Sequence, residues 1–329
     1  MRLLLATKTG LVLADPASNT WQPKEQTLAG HHVTSVIARE GVILAGTTGG
    51  IFRSDDGGVR WVEASAGLSV RHVRWLAFHP DISDCEFAGT EPAALFVSQD
   101  GGRSWQERPE VASLRDRLGW WLPYSPEAGC VRGFAFHGRR AYAAVEVGGA
   151  LRSDDGGKTW ELAAGSNGRP ELGQPADGYI HPDVHSITVH PTSADLVFAP
   201  TGGGFFGSQD GGASWESLHS PCYVRAVWID PADARRLILG PSEGPSGQNG
   251  RIETSEDGGK TWQKTAVSWP RNMVERFKPG RDFLFAVLAN GQLLQTPLPA
   301  PQSDLTALPW TQVLPNIKHI QDVTIMVDG

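Results

Sequence analysis

The stretch Ser153-Asp154-Asp155-Gly156-Gly157-Lys158-Thr159-Trp160 decides the fold, because variants of this octapeptide occur five times along the chain. The other four copies run over residues 54–61, 98–105, 208–215 and 255–262. Successive copies start 44, 55, 55 and 47 residues apart. Self-similarity at a period of 20–50 residues is typical of solenoids, propellers and other arrays of one repeated unit.

Each octapeptide is predicted to form the turn of a β-hairpin. The pair Gly156-Gly157 supplies positions that adopt positive φ without steric cost, as a tight turn requires. The carboxylate of Asp155 can accept backbone N–H groups of the same turn. Trp160 begins the return strand and offers a large apolar ring for packing.

Two degenerate copies raise the number of units to seven. Gly10 to Asp15 leads to Trp21, and Gly291 to Gln295 leads to Trp310 after an insertion. Seven units in 329 residues give 47 residues per unit, the length of a four-stranded propeller blade.

We therefore expect an all-β fold, a single seven-bladed β-propeller of four-stranded blades over residues 1–329. Strands A to D of the third unit are placed at 72–78, 86–90, 94–97 and from Trp105 onward. The first unit lacks a strand A, and residues 318–327 have the strand A pattern. This C-terminal strand is predicted to close the ring beside residues 2–7, which removes free sheet edges.

Composition excludes some classes of function. With 29 Lys and Arg against 36 Asp and Glu, the net charge of −7 argues against a nucleic-acid-binding protein. No apolar run reaches the roughly 18 residues of a membrane helix, and the apolar start at residues 1–6 is too short for a signal peptide. Three cysteines, Cys85, Cys130 and Cys222, are read as reduced thiols of a cytoplasmic protein.

The octapeptides resemble the Asp-box, or BNR, repeats of sialidases, sortilin-type receptors, xyloglucanases and photosystem II assembly factors. The resemblance implies that the Asp boxes lie at the turns between strands C and D, away from any active site, and are structural. It leaves function open, because this fold serves enzymes, receptors and assembly factors. Sialidase activity is not expected, since an Arg-Ile-Pro motif is missing near the N-terminus and seven blades are counted instead of six.

Three arginines occupy equivalent positions in strand A of their units: Arg74, Arg132 and Arg225. Guanidinium groups suit the recognition of carboxylate or phosphate, so these residues are candidate ligand-binding groups. The alternative is that they pair with nearby glutamates in a structural network. Those glutamates are Glu91, Glu146, Glu243 and Glu275.

Proton chemistry is assigned to three residues, Glu91, Glu146 and His185. The two glutamates belong to neighbouring blades and could act as acid and base across a substrate. His185 is the candidate general base, with Tyr223 and Tyr179 as partners. Glu243, at the end of a strand B, is added to the ligand-binding set.

A divalent metal ion at the propeller axis is a further expectation. His32, His72 and His319 occupy equivalent positions on three consecutive blades, and with a carboxylate they could bind Zn, Fe or Mn. The alternative is that these histidines cap strands or contact water.

Long insertions at 106–130, 161–184 and 241–250 are expected to form loops on the ligand-binding rim. Connections of this length without periodicity are uncommon unless they are functional or disordered. Trp120, Trp121 and Tyr179 are predicted to cover a ligand, or the two tryptophans could instead seal their loop onto the propeller. The third insertion is expected to be a mobile lip.

These observations give one leading hypothesis and two alternatives. The leading hypothesis is a propeller that binds a small polar, anionic or sugar-like ligand in its axial funnel, as a hydrolase or lyase. The first alternative is a non-catalytic module with a protein partner on the loop rim. The second is a metal-dependent enzyme that uses the axial histidines.

Overall fold

The computed structural model describes residues 1–18, 20–125, 128–265 and 272–326. These residues form seven four-stranded antiparallel sheets in a ring, a seven-bladed β-propeller, as predicted. In most pairs of neighbouring blades the first strands of the two sheets contact each other, so they are the innermost strands and surround the axis.

The strands of blades 1 to 3 follow the chain outward from the axis, except that the innermost strand of blade 1 comes last in sequence. They are β1 (Arg2–Thr7), β2 (Gly10–Ala17), β3 (Thr20–Thr27); β4 (Val33–Arg39), β5 (Val42–Thr47), β6 (Gly50–Ser54), β7 (Val62–Glu63); β8 (Val73–Phe78), β9 (Glu86–Thr90), β10 (Leu95–Ser98) and β11 (Gln106–Glu107).

Blades 4 to 7 have the same order. Their strands are β12 (Cys130–His137), β13 (Arg140–Glu146), β14 (Gly149–Ser153), β15 (Glu161–Leu162); β16 (Thr188–Val189), β17 (Val197–Thr201), β18 (Gly204–Ser208), β19 (Glu216–His219); β20 (Tyr223–Asp230), β21 (Asp233–Ser242), β22 (Glu253–Ser255), β23 (Gln263–Lys264); β24 (Val274–Pro279), β25 (Phe283–Leu288), β26 (Leu293–Pro297) and β27 (Thr311–Val313).

The last strand, β28 (Ile320–Met326), closes the ring as predicted. It pairs antiparallel with β1, from Arg2 opposite Met326 to Thr7 opposite Ile320, and becomes the innermost strand of blade 1. The junction between β1 and β28, here called the seam, is therefore closed by hydrogen bonds. Blade 1 contains the two ends of the described chain.

The Asp boxes form the predicted turns between the third and fourth strands of blades 2 to 6. In the box of blade 4, Asp155 Oδ1 accepts the N–H groups of Lys158 and Thr159 at 2.9 and 3.0 Å. Ser153 Oγ donates to the same oxygen at 2.8 Å and accepts the N–H of Gly157 at 2.9 Å. Gly157 has a φ of +82°, so a side chain at this position would be strained.

The hydrophobic core lies between neighbouring blades. One cluster joins blades 3 and 4, where the buried ring of Phe87 meets Val131 and Val145 and the box residue Trp160. The indole Nε1 of Trp160 donates to the carbonyl oxygen of Gly157 at 3.1 Å. The box of blade 4 thus satisfies its own polar groups and still places a large apolar ring between two blades.

A helix occupies part of the first insertion, where an aperiodic loop was expected. Helix α1 (Pro109–Leu118) packs Val111 and Leu114 against the core, and Gly119 ends it in the left-handed conformation. Its signals are present in the sequence, with Pro109 at the start and apolar residues three apart. A 3₁₀ turn, η1 (Leu305–Ala307), precedes β27. None of the described helices has the length and apolarity to cross a membrane.

A buried ion cluster stabilises the seam. Asp322 of β28 is fully buried and lies 3.0 Å from Arg276 Nη1 and 3.3 Å from Lys278 Nζ, both on β24 of blade 7. Its Oδ2 also accepts the N–H of Val36 and the hydroxyl of Ser35, both on β4 of blade 2, at 3.1 Å. One carboxylate of the closing strand therefore joins three blades.

Replacing Asp322 tests this cluster. Asp322→Asn leaves two partly or fully buried cations without a counter-charge, so we expect a loss of about 3 kcal/mol or more in the free energy of unfolding. The control is Asp15→Asn, which breaks the Arg2–Asp15 pair of the same blade, where the side chains are 40% and 32% exposed. That loss should stay below about 1 kcal/mol. Urea denaturation measures both, and equal losses would contradict the account.

The boxes predict acid sensitivity. Partial burial raises the pKa of Asp155, but hydrogen bonds from Thr159, Ser153 and Lys158 outweigh it and lower the pKa to about 2 from 3.8. A carboxyl with a depressed folded-state pKa stabilises the fold above the unfolded value, and this contribution is lost as pH falls toward 2. Denaturant unfolding at pH 4.5 and 2.5 should show a smaller pH-dependent loss for Asp155→Asn than for the unchanged protein. An identical loss in both would refute the assignment.

Candidate functional site

Six innermost strands carry a β-bulge at the same position near the axis. In β12 the register passes from Val131 to Gly133, so Arg132 has no partner residue on β13. A bulge bends its strand and re-aims a side chain. The residues skipped in this way include Thr34, Arg74, Arg132, Arg225, Glu275 and Gln321.

All six of these residues line one cavity on the axis, with a volume of about 160 Å³. The alignment of strands A by sequence therefore identified a set that converges in space. Arg276, which follows Glu275, also lines the cavity. Four guanidinium groups and one carboxylate thus face this space.

The glutamates pair with the arginines, as the alternative hypothesis stated. Arg74 Nη1 lies 3.1 Å from Glu91 Oε2, and Arg132 Nη1 lies 2.8 Å from Glu146 Oε2. Glu275 bridges two blades by pairing with Arg132, at 3.1 Å, and with Arg225. Glu243 is exposed in the turn after β21 and forms no ion pair with a described residue.

The charges are layered with respect to the cavity. Glu91, Glu146 and Asp322, which neutralise three of the arginines, are 5%, 1% and 0% exposed and do not line the cavity. The guanidinium groups lie in front of them. Arg225 Nε has no hydrogen-bond partner among the described residues. The cavity is therefore lined mainly by cationic N–H donors, although the cluster around it is nearly balanced in charge.

A layer of side chains divides the axial channel. Arg225, Glu275 and Arg276 line both this cavity and a second one, of about 270 Å³, on the other side. The guanidinium of Arg276 lies over the ring of Trp75, 4.0 Å from its centre. The axial cavity, which lies on one side of this layer, is therefore a pocket that is closed at one end and not an open channel.

His185 occupies the equivalent position in blade 5 and contacts Tyr223. Its Nδ1 is 2.7 Å from the carbonyl oxygen of Val224, which can only accept, so Nδ1 carries a hydrogen. Its Nε2 is 3.0 Å from Tyr223 Oη and 3.1 Å from Asp183 Oδ2. Tyr223 Oη also accepts a hydrogen bond from Arg225 at 3.3 Å. The predicted partner Tyr179 is absent from this group.

Electrostatics assign Glu146 a fixed charge. Burial would raise the pKa of its carboxyl, but Arg132, with His185 and Arg225, outweighs burial and holds the pKa well below the usual range. Burial raises the pKa of Tyr223 to about 12. Near neutral pH, Glu146 is therefore ionised and Tyr223 is a neutral phenol, so Glu146 has no proton to donate as a general acid.

The three predicted metal-binding histidines do not form a ligand group. His319 is exposed at a φ of +58°, whereas His32 and His72 are partly buried. Burial is the largest cause that lowers the pKa of both His32 and His72. In the described part of the chain, one group of three brings its ligand atoms within 4.8 Å of one another, and it consists of Glu146, Asp183 and His185.

The rim aromatics differ from expectation. Trp120 is 3% exposed, and its indole Nε1 donates to the carbonyl oxygen of Gly168 at 2.7 Å, so it holds the two insertions against the propeller, as the alternative stated. Trp121 is 43% exposed. Tyr179 lies beside Trp215 and lines no part of the axial cavity, because Gly178 pairs with Trp215.

Two residues of the site were not assigned a role from the sequence. Tyr124 has an exposed ring, but its hydroxyl donates to Glu146 and brings the first insertion into contact with the buried ion cluster. Asp183 contacts His185 through its carboxylate. The spacing of His181, Asp183 and His185 was a usable signal, since alternate residues of an extended segment face the same side.

The third insertion is ordered close to β21. The N–H of Glu243 donates to the carbonyl oxygen of Gln248 at 2.9 Å, and the N–H of Gly247 donates to that of Gly244 at 3.0 Å. These bonds fold residues 243–248 into a compact turn.

Comparison with known proteins supports the repeat and the fold. Residues 151–162 match the family model of the BNR/Asp-box repeat. No curated protein matches the chain in sequence.

Solved structures with the same fold belong to different functional classes. An ancestral GH74 enzyme superimposes with a TM-score of 0.66 at 17% identity, over 90% of this chain and 40% of its own. The GH74 xyloglucanase from Xanthomonas campestris gives 0.58 at 16% identity, over 86% and 45%. YCF48 bound to D1 peptide gives 0.61 at 17% identity, over 92% and 89%.

The chain spans less than half the length of either GH74 enzyme but most of the length of YCF48. At these identities the likeness concerns the fold, which does not select between enzyme and binding protein. The repeats, the seven blades and these neighbours agree with one another: the chain is a seven-bladed β-propeller that carries a BNR/Asp-box repeat.

Proposed function

We propose that the protein binds the anionic group of a small polar ligand in the axial cavity. The observation that carries this proposal is the layering of charge around the cavity. Four guanidinium groups face it with one carboxylate, whereas the other three carboxylates of the cluster are buried behind them. Forked N–H donors in a partly desolvated site are suited to carboxylate and phosphate.

The glutamates prepare the arginines for this role. Glu275 holds Arg132 and Arg225 from one side, and Glu146 holds Arg132 from the other. These contacts fix the planes of the guanidinium groups before a ligand arrives, which reduces the ordering cost of binding. Arg225 Nε is buried and lacks a hydrogen-bond partner among the described residues.

The volume of the axial cavity limits the size of the ligand group that can enter it. A volume of about 160 Å³ corresponds to roughly five water molecules at liquid density. It accommodates a carboxylate or phosphate with a few neighbouring atoms, and the rest of a larger ligand extends to the rim. Trp121 and Tyr124 are exposed aromatics of the rim insertion and are suited to contact a sugar ring or a flat group.

The site is better suited to ligand binding than to acid–base catalysis in which Glu91 and Glu146 would transfer protons. Glu146 is held ionised by Arg132, and both carboxylates are buried behind arginines with which they pair. A hydrolase or lyase activity would need another proton donor. The proposal is therefore a ligand-binding propeller, and its enzymatic variant depends on groups other than this pair.

A second candidate is a peptide whose free C-terminal carboxylate is the anion. Its support is the structure of YCF48 bound to D1 peptide, which this chain matches over 92% of its own length and 89% of the other. The same cavity would hold the terminal carboxylate, and the rim would contact the preceding residues. A peptide with an amidated C-terminus lacks this carboxylate. Comparing it with the free peptide therefore distinguishes a peptide terminus from a small molecule as the source of the anion.

Arg225→Gln tests the proposal. It removes one guanidinium of the cavity while Glu275 keeps its pair with Arg132, so the fold is retained. Isothermal titration with phosphate, glucuronate, a dicarboxylate and short peptides with free or amidated ends should give about tenfold or greater weakening for the ligand that binds. Arg225→Lys should restore only part of the affinity, because it keeps the charge but loses the fork.

The matched control is Arg235→Gln, which removes the same charge from an exposed side chain paired with Asp233 away from the axis. It should bind like the unchanged protein. Equal weakening in Arg225→Gln and Arg235→Gln would show that binding follows net charge alone and would contradict an axial site. Failure of every anion to bind the unchanged protein would also reject the proposal.

A further inference from the structure

We propose that Glu146, Asp183 and His185 form a binding site for a divalent transition-metal ion, Zn²⁺ or Mn²⁺, beside the axial cavity. The proposal goes beyond anion binding and does not depend on it. It also differs from the metal site expected from the sequence, which used His32, His72 and His319. The three residues come from two blades and are all buried.

The spacing of the ligand atoms fits a metal centre. The ligand atoms of the three side chains lie within 4.8 Å of one another, and His185 Nε2 is 3.1 Å from Asp183 Oδ2. Two ligands at the usual bond lengths of about 2.0–2.2 Å in a tetrahedral site are roughly 3.4 Å apart. Small side-chain shifts would therefore bring all three atoms to coordination distance.

His185 is oriented as a ligand. Its Nδ1–H donates to the carbonyl oxygen of Val224 at 2.7 Å, and its side chain is fully buried. Histidines that bind metals usually donate the other ring N–H to a carbonyl or carboxylate, which fixes the tautomer. The lone pair of Nε2 is thereby directed at Asp183 and Tyr223.

The charge around Asp183 is not compensated by the neighbouring arginines. Arg132 and Arg225 pair with Glu146 and Glu275, whereas Asp183 has an ion-pair contact only with His185 among the described residues. Asp183 is 8% exposed and its Oδ1 has no hydrogen-bond partner among the described residues. Asp183 is therefore missing a positively charged partner, and a bound cation supplies it.

One imidazole nitrogen and two carboxylate oxygens indicate the class of metal. Imidazole is a usual ligand of Zn²⁺ and carboxylate oxygen is a ligand of both Zn²⁺ and Mn²⁺, whereas Ca²⁺ and Mg²⁺ prefer oxygen ligands alone. Three protein ligands leave a coordination position open. Tyr223 Oη lies 3.0 Å from His185 Nε2.

The competing explanation is a second proton on His185. An imidazolium would donate Nε2–H to Asp183 and would supply the missing positive charge without a metal. The two explanations predict different states of the same nitrogen. A metal requires an unprotonated Nε2, and the imidazolium requires a protonated one.

The experiment uses the full chain stripped of metal and titrated with ZnCl₂ or MnCl₂ alone, with no organic anion present. Elemental analysis after dialysis and isothermal titration should show one ion per chain. Asp183→Asn and His185→Asn should each weaken binding by at least about tenfold. Substitution with Co²⁺ should give visible absorption bands that are lost in the same two variants, which reports coordination directly.

His72→Asn is the matched control, because it removes a partly buried imidazole that directly precedes the innermost strand β8 and lies outside the group. It should bind the ion as the unchanged protein does. Thermal unfolding without metal shows which variants are folded, and ¹⁵N NMR of the unchanged protein reports the state of His185 Nε2 if a variant fails to fold.

Failure of both ions to bind, or equal binding by Asp183→Asn, His185→Asn and the control, would overturn the proposal. A doubly protonated His185 in the presence of the metal would overturn it as well. Arg225→Gln separates this proposal from anion binding, because that variant is expected to lose affinity for the anion and to retain the metal.

Discussion

Pairing of β28 with β1 is the interaction on which the rest of the structure depends. It brings the end of the described chain back to its beginning and makes β28 the innermost strand of blade 1. Closure forces seven innermost strands around one axis, so residues far apart in sequence meet there. The buried Asp322 strengthens the seam by joining β28 to β4 and β24. The cavity exists only because the ring is closed.

The Asp boxes and the β-bulges have different roles in this closed ring. The Asp boxes hold the outer turns of the blades and use their Asp and Ser side chains to satisfy their own N–H groups. The bulges act at the other end of six of the blades, where they turn a side chain of the innermost strand toward the axis. The boxes therefore determine the fold, and the bulges determine what the axis presents to a ligand.

Much of this could be predicted from the sequence, and the reasons are physical. The fold could be predicted because an octapeptide with clear turn chemistry occurs five times. The equivalence of Arg74, Arg132 and Arg225 could be predicted because they occupy the same position in strand A of their units. Pairing of the glutamates could only be posed as an alternative, because ion pairs depend on side-chain direction across blades. Loop placement was the least predictable, as Tyr179 and Trp120 show, since loops are held by contacts such as that of Gly178 with Trp215. His319 occupies the predicted position in the alignment of the strands, but its side chain is exposed to solvent.

The central claim is that the axial cavity is an anion site built from arginines that are fixed by carboxylates behind them. The most direct test is a crystal structure grown with selenate, whose selenium can be located by anomalous scattering. The account predicts a strong anomalous peak in the axial cavity, with oxygen atoms within hydrogen-bonding distance of Arg225 and a second guanidinium group. Selenate found only at surface side chains, with water alone in the cavity, would contradict it.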